Sequence, residues 1–278
     1  MTKSKGFLPT AVLAAAVLSG CAGQRIVPMQ DAAASRIKST DVIVVLPQQE
    51  IKTEITQSNV AQATGGGLIP ALIDLAVNKS RADDAETTVV GVRNALLDYD
   101  FSKQILTNIE QQLRQLAWIN LQAVRLETTS ADDKINDAVA RSTANAVLVV
   151  RTSYSVTADF LRIKVTALVT GHPKTDELVA VAKQARPDID PPLLYRNTFI
   201  VSNGAGGPFA NRDAAAKAWA DDNGKKAREA LDQGAADLAE RLATDLERAR
   251  ARARAAEAAA TAPGAPAPAA PATESSGR

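Results

Sequence analysis

The chain has one cysteine, Cys21, and it closes an apolar N-terminal run. A single thiol cannot form an intramolecular disulfide, so whatever folds downstream must rest on a buried apolar core. Residues 40–250 are ample for one such core, and they contain no clean linker and no internal repeat.

The segment before Cys21 begins with Lys3 and Lys5, and no acid occurs before Asp31. An apolar run from Phe7 to Leu18 follows, interrupted only by Pro9 and Thr10. A basic start, a short apolar core and small residues near the end form the pattern of a secretory signal. The run is shorter than the roughly 20 apolar residues a membrane-spanning helix needs. The competing reading is a buried helix or a short membrane anchor; the terminal position and the lone cysteine favour the signal.

The stretch Leu18-Ser19-Gly20-Cys21 resembles the lipobox of bacterial lipoproteins: Leu, a small residue, Gly or Ala, then Cys. The resemblance covers the first 21 residues. It implies recognition of Leu18, Ser19 and Gly20 by the signal peptidase, cleavage before Cys21, a diacylglycerol thioether on Cys21 and usually a third acyl chain on the new amino group. Each buried methylene contributes about 0.8 kcal/mol and one chain anchors only marginally, so two or three chains are what hold such a protein on a membrane. Ala22 stands where the family uses Asp to retain lipoproteins in the inner membrane, which favours the outer membrane, facing the periplasm. With Cys21 acylated, the mature chain has no disulfide, thiolate metal site or cysteine nucleophile.

The organisation expected is a signal peptide over 1–20, a tether over 21–40, a mixed α/β domain over 41–250 and a disordered tail over 251–278. The tether mixes Ala, Gly, Ser, Gln and charges, and as a flexible chain it reaches roughly 25 Å; part of it can instead pack on the domain. Val42 to Leu46 is a β-branched run stopped by Pro47, as in a strand buried on both faces. Helices are expected near 68–76, over 80–98, and from Phe101 behind an Asp100 cap, with Phe101, Ile105, Ile109, Leu113 and Leu116 as one apolar stripe. A β–α–β pattern follows: a strand at 121–126, a helix from Asp132 or Asp133, and a strand from Ala146. Alternation from Leu161 to Thr170 predicts a half-buried strand, with Gly171-His172-Pro173 as a turn and 178–185 as a return strand. Tyr195, Phe199 and Val201 mark a further strand. Trp219 precedes a break at Asp221 or Asn223, and Leu231, Leu238, Leu242 and Leu246 mark a long C-terminal helix. The fold class is therefore α/β of the mixed α+β kind: one domain, a mixed or antiparallel sheet, amphipathic helices packed on it. The Ala/Pro-rich end lacks the large apolar groups that offset ordering entropy.

No stretch carries a recognisable catalytic constellation, and no cofactor or metal is expected. The 32 basic and 31 acidic residues leave no basic excess for nucleic acid. His172 is the only histidine, so histidine-rich metal sites are excluded by count and a Ser–His–Asp hydrolase would have to use it. Gly65-Gly66-Gly67 precedes a helix but lacks the Gly-Lys-Ser/Thr of a phosphate loop. The acidic groups Asp83/Asp84/Glu86, Asp98/Asp100, Asp132/Asp133/Asp137, Asp188/Asp190 and Asp221/Asp222 mostly sit where helices begin, which suits caps. Arg248, Arg250, Arg252 and Arg254 alternate with Ala. They can meet anionic lipid or wall polymer, but a period of two spreads them around a helix, which favours a solvated helix end.

The expected function is a lipid-anchored envelope lipoprotein, non-catalytic, acting as an accessory, scaffold or assembly subunit. Its partners are the membrane through the lipid on Cys21 and envelope proteins or further copies of itself. Two other classes stay open. The order of strands and helices resembles lipoprotein subunits of secretion rings such as the curli exporter, whose pore hairpin 146–157 with 161–170 can supply. A wall- or glycan-acting enzyme needs only two carboxylates placed by the fold. The segment Gly65 to Leu72 resembles uncharacterised proteobacterial envelope lipoproteins, which adds no function.

Overall fold

The structure, a computed structural model, describes residues 26–54 and 68–261. The β-branched run near its start becomes β1 (Thr40–Val45), and all six residues are buried. It lies between parallel neighbours, β3 (Leu121–Glu127) and β4 (Ala146–Thr157), which is why an uninterrupted apolar run suits it. A short β2 (Lys52–Glu54) pairs with β4 beyond the end of β1. β4 then runs antiparallel to β5 (Arg162–Pro173), and β5 to β6 (Tyr195–Gly204). The sheet order is β3-β1-β4-β5-β6, a mixed sheet as expected.

Six helices accompany it among the described residues: α1 (Asp31–Ala34), α2 (Leu68–Ala95), α3 (Phe101–Arg114), α4 (Asp132–Arg141), α5 (Asp176–Ala185) and α6 (Arg212–Thr261). Val42, Val44, Leu148, Val150, Val165 and Val201 share one large core with residues of α2, α3, α5 and α6. Ile43, Val45, Val147 and Val149 point the other way and pack on Ile135 and Ala138 of α4. The steps β1 to β3 and β3 to β4 cross the sheet in opposite directions. Crossovers of one hand therefore place α2 and α3 on one face and α4 on the other.

The helix α6 is the main cover. Trp219, Leu231, Leu238, Leu242 and Leu246 are buried along it, and the indole Nε1 donates to the Phe160 carbonyl at 2.6 Å. It lies so close to β5 that a Cβ on Gly234 would sit 2.6 Å from Cγ2 of Val165. The expected break is a four-residue kink, Asp221 to Gly224. Gly224 has φ +70° there, and its Cα faces the carbonyl of Ala95, 2.9 Å from where a Cβ would stand. A glycine satisfies both demands at once.

Several expectations are corrected. Residues 178–185 are helical rather than a return strand: Thr175 accepts from the Leu178 N–H as a cap, and Leu178, Val181 and Ala182 are buried at helical spacing. Gly171-His172-Pro173 is not a turn but the end of β5, with Gly171 paired to both Leu148 and Tyr195. The helices near 68–76 and 80–98 are one helix, α2, which ends at Ala95; a Cβ on Gly91 would find Ala220 at an ordinary 3.7 Å. The expected tether is folded from Val27 onward: Val27 pairs with Arg196, and Met29, Ala33, Ala34 and Ile37 join the core. These five residues follow no single period, so their pattern reads as linker. Finally α6 passes residue 250 and runs to Thr261, with Ala253 still buried. Arg250 and Arg252 explain this, because they donate to the carbonyls of Ala34 and Met29 and fasten α6 to the first turn. A solvated helix end thus describes Arg248 and Arg254 only. Residues 262–278 lie outside the described residues.

Candidate functional site

Along β4 the pairing with β1 and then β2 is interrupted. β1 and β2 both pair with β4, but residues 46–51 between them leave its edge. The side chain of Gln48 takes the place of the missing strand. Its Nε2 donates to the Tyr154 carbonyl at 2.6 Å, and its Oε1 accepts from the Tyr154 N–H at 3.2 Å. The same Nε2 donates to the Glu50 carbonyl at 2.6 Å, which fixes the loop. Buried backbone groups left unpaired cost comparably to a lost hydrogen bond, so this amide keeps the gap in β4 satisfied without closing it.

A crevice opens outside the carboxyl ends of β1 and β3, between the loops that lead to helices on opposite faces. Ligands of open α/β sheets lie at such a place. It has two lobes of about 340 and 270 Å³ that share Gln49, Leu97, Tyr99 and Tyr154. The floor is Tyr154, 7 % exposed, its ring 4.6 Å from that of Phe101. Leu97 stands on the rim, 74 % exposed.

Its electrostatics are acidic. Asp100 caps α3, and Oδ1 accepts from Ser102 Oγ and from the Lys103 N–H, which together hold its carboxyl below the usual range. Asp98 is held low by the guanidinium of Arg228, which also donates to the Ala95 carbonyl at 2.6 Å and lies 5.8 Å from the ring centre of Tyr99. Arg93 is engaged by Glu86, by Glu50 at 3.4 Å and by the Ile51 carbonyl at 3.1 Å. Burial pushes the phenol of Tyr154 up to about 12, and the charges of Glu50 and Asp100 add to it. The phenol of Tyr99 is raised too, by burial first and then by its bond to Asp232 at 2.7 Å.

The residues singled out from sequence fall elsewhere, with one exception. Leu18, Ser19, Gly20, Cys21 and Ala22 lie outside the described residues, as do Gly65 to Gly67. His172 is in β5 and shares a 2.9 Å hydrogen bond with Thr170 Oγ1. Burial pushes its imidazole down to about 4, helped by the nearby charges of Arg151 and Arg196. Asp132 pairs with Arg151 at 2.7 Å, Asp188 with Arg186 at 3.0 Å and Asp221 with Lys217 at 2.6 Å. Only Asp98 and Asp100 meet in the crevice. The hairpin β4–β5 forms the centre of the sheet, with its inner face in the core. Among the described residues no group of three His, Cys, Asp or Glu is placed to hold a metal, and no helix is long and apolar enough to cross a membrane. A larger hollow of about 560 Å³ between α2 and the start of α6 is lined by helix surface, including Arg212 and Asp213, 3.9 Å apart.

Sequence reading missed Gln48, Arg93 and Tyr154. The one available signal was Pro47, which stops a buried parallel strand at its carboxyl end, where such sheets carry their sites. No family model, curated protein or solved structure matches the chain.

Proposed function

We propose that this chain is a lipid-anchored envelope lipoprotein, a non-catalytic accessory or scaffold subunit held at the periplasmic face of the outer membrane through Cys21. The observation that carries the reading is where the core begins relative to the lipobox. The described core begins at Val27, a few residues beyond Cys21. The four residues between Cys21 and Ile26 bridge at most about 18 Å when extended, so the anchor would hold the domain close to the bilayer. Ala22 supports the outer membrane as the destination.

The non-catalytic part of the reading draws on three polar side chains that serve as structural ties. His172 is engaged by Thr170, and Asp41 accepts from Ser142 Oγ at 2.7 Å. Tyr195 donates to Asp245 at 2.6 Å. The bonds of Asp41 and Tyr195 each join two elements of the fold, and that of His172 lies within β5.

Replacing Cys21 by Ser tests the anchor. The variant is expected to lose incorporation of labelled fatty acid and to leave the membrane fraction. Retention of both label and membrane association would overturn the reading.

A further inference from the structure

The two ends of the sheet differ in charge. The crevice, at the carboxyl end of β1, is acidic. At the other end β1 and β4 begin, β5 finishes and β6 starts, because Thr40 pairs with Ala146, Ala146 with Pro173 and Gly171 with Tyr195. Asn145 gathers basic residues there. Its Oδ1 accepts from the Lys38 N–H at 3.1 Å, its Nδ2 donates to the Arg36 carbonyl at 3.1 Å, and its own carbonyl accepts from the Lys174 N–H at 2.9 Å. Lys174 Nζ in turn donates to the Ala140 carbonyl at 3.0 Å, beside Arg141 at the end of α4. Arg250 and Arg252 bring the end of α6 to the same place through the carbonyls of Ala34 and Met29.

Cations at this end lack acids. Lys38, Arg141, Lys174, Arg196, Arg248 and Arg254 form no ion pair among the described residues, whereas the acids Asp31 and Glu177 are taken by Arg252 at 3.6 Å and Arg36 at 3.1 Å. Five buried side-chain atoms of the described residues lack a hydrogen-bond partner, and three of them, Gln30 Nε2, Arg196 Nε and Arg250 Nε, lie here. All three are donors, so what is missing is an acceptor, and guanidinium donors match the oxygens of a phosphate. The chain also leaves the fold at this end: Val27 pairs with Arg196, and Ile26 before it is 61 % exposed. Tyr154, at the crevice, stands eight residues along β4 from Ala146, about 26 Å at the rise of a strand. That exceeds the reach of about 18 Å between Cys21 and Ile26. A lipid on Cys21 therefore brings a bilayer to the basic end and not to the crevice.

We propose that the end of the domain marked by Lys38, Arg248 and Arg254 lies on the headgroups of an anionic phospholipid surface, with the crevice turned away from it. This rests on the anchor at Cys21 and adds the orientation of the domain above it. Acyl chains and a basic patch act together as the paired signals of stable peripheral attachment. The attraction of each Lys or Arg to an anionic surface fades within a Debye length, so the patch acts only if this end is held close.

The test reconstitutes the lipidated full chain into vesicles of phosphatidylcholine alone and of phosphatidylcholine with phosphatidylglycerol. With Cys21 acylated, a single new cysteine carries a nitroxide label, through Ser35→Cys beside Ala34 or Leu97→Cys on the crevice rim. In the anionic vesicles the Ser35→Cys label is expected to be at least about fivefold less accessible to a water-soluble relaxant than the Leu97→Cys label. The difference should shrink in added salt and in phosphatidylcholine alone. Combining Lys38→Gln, Arg248→Gln and Arg254→Gln should remove it as well. The thermal midpoint should stay close to the parent's, since all three side chains are exposed. Equal accessibility of the two labels, or a difference that responds neither to lipid charge nor to the triple replacement, overturns the proposal. Protection of the Ser35→Cys label only at high protein-to-lipid ratio assigns this end to a second copy of the chain and overturns it too. A chain that leaves both kinds of vesicle overturns the anchor reading and this one with it; a chain that stays on both without a preferred end overturns this one alone.

Discussion

The two faces of the sheet differ in how they are covered. On one face the helices α2, α3 and α6 pack from end to end, and the strands contribute one continuous core. On the other face α4 covers Ile43, Val45, Val147 and Val149, and beyond that patch no described helix lies over the sheet. Thr166, Leu168, Thr198 and Ile200 follow along β5 and β6, and Ile200 is 55 % exposed. The connections explain the difference. A parallel pair needs a crossover, which supplies a helix, whereas antiparallel neighbours do not. The half of the sheet built from β1, β3 and the start of β4 is therefore sandwiched, and the half built from β5 and β6 is free to meet water on one side. The crevice lies at the boundary of these two regimes, where β1 ends and β4 continues.

The largest effect is expected on the fully covered face. Trp219 is 1 % exposed and holds the Phe160 carbonyl. Trp219→Ala should cost about 3–5 kcal/mol in urea denaturation, from the cavity and from the orphaned carbonyl. A loss below about 1 kcal/mol would mean that α6 does not close the core in solution.

Much of this contrast is legible in the residues. The unbroken run Val42–Leu46 announces a strand covered twice, and the alternation from Ile163 to Val169 announces one covered once, because each side chain of a strand reports the face it points to. Asp100 is readable as a cap, since its short carboxylate lies just before an apolar stripe of helical spacing. The segment 178–185 is not readable. Leu178, Val179, Ala180, Val181 and Ala182 form an apolar run that serves strand and helix alike, and Thr175 with the acids Asp176 and Glu177 decides it. His172 is misplaced for a different reason: Gly171 and Pro173 signal a turn locally, but pairing with β4 and β6 overrides them. The crevice is hidden because it depends on a gap in pairing between β1 and β2. Gln48, Tyr154 and Asp100 are distant in sequence, and nothing in their local pattern links them.

A smaller effect belongs to the edge of the α4 patch. His172 lies opposite Val147 in the register, near Arg151 and Arg196. Its folded value of about 4 lies below the ordinary histidine value of 6.5, so the unfolded chain takes the proton more readily. The stabilisation is full above the unfolded value and is lost as pH falls toward the folded one. Between pH 7 and pH 5 that loss amounts to about 2 kcal/mol. The carboxyls of Glu86, Asp98, Asp100 and Asp159 are held below their ordinary values and add pH dependence only under more acidic conditions. Denaturation of the parent should weaken over this window, and His172→Gln should flatten the response. An equal slope in both would place the imidazole in water.

The smallest effect tests the bare face itself. Ile200→Thr exchanges one β-branched residue for another on an exposed edge strand and leaves in place the backbone carbonyl that Arg241 holds at 3.0 Å. It should change stability by no more than about 0.5 kcal/mol. Val149→Thr is a comparable exchange on the same face of the sheet, but under α4, where the new hydroxyl enters an apolar cluster. It should cost about 1–3 kcal/mol. The pair thus measures coverage by α4 with the strand chemistry nearly constant. If Ile200→Thr costs as much as Val149→Thr, or changes the mass of the particle in solution, then something besides water covers β5 and β6, and the bare face is an interface.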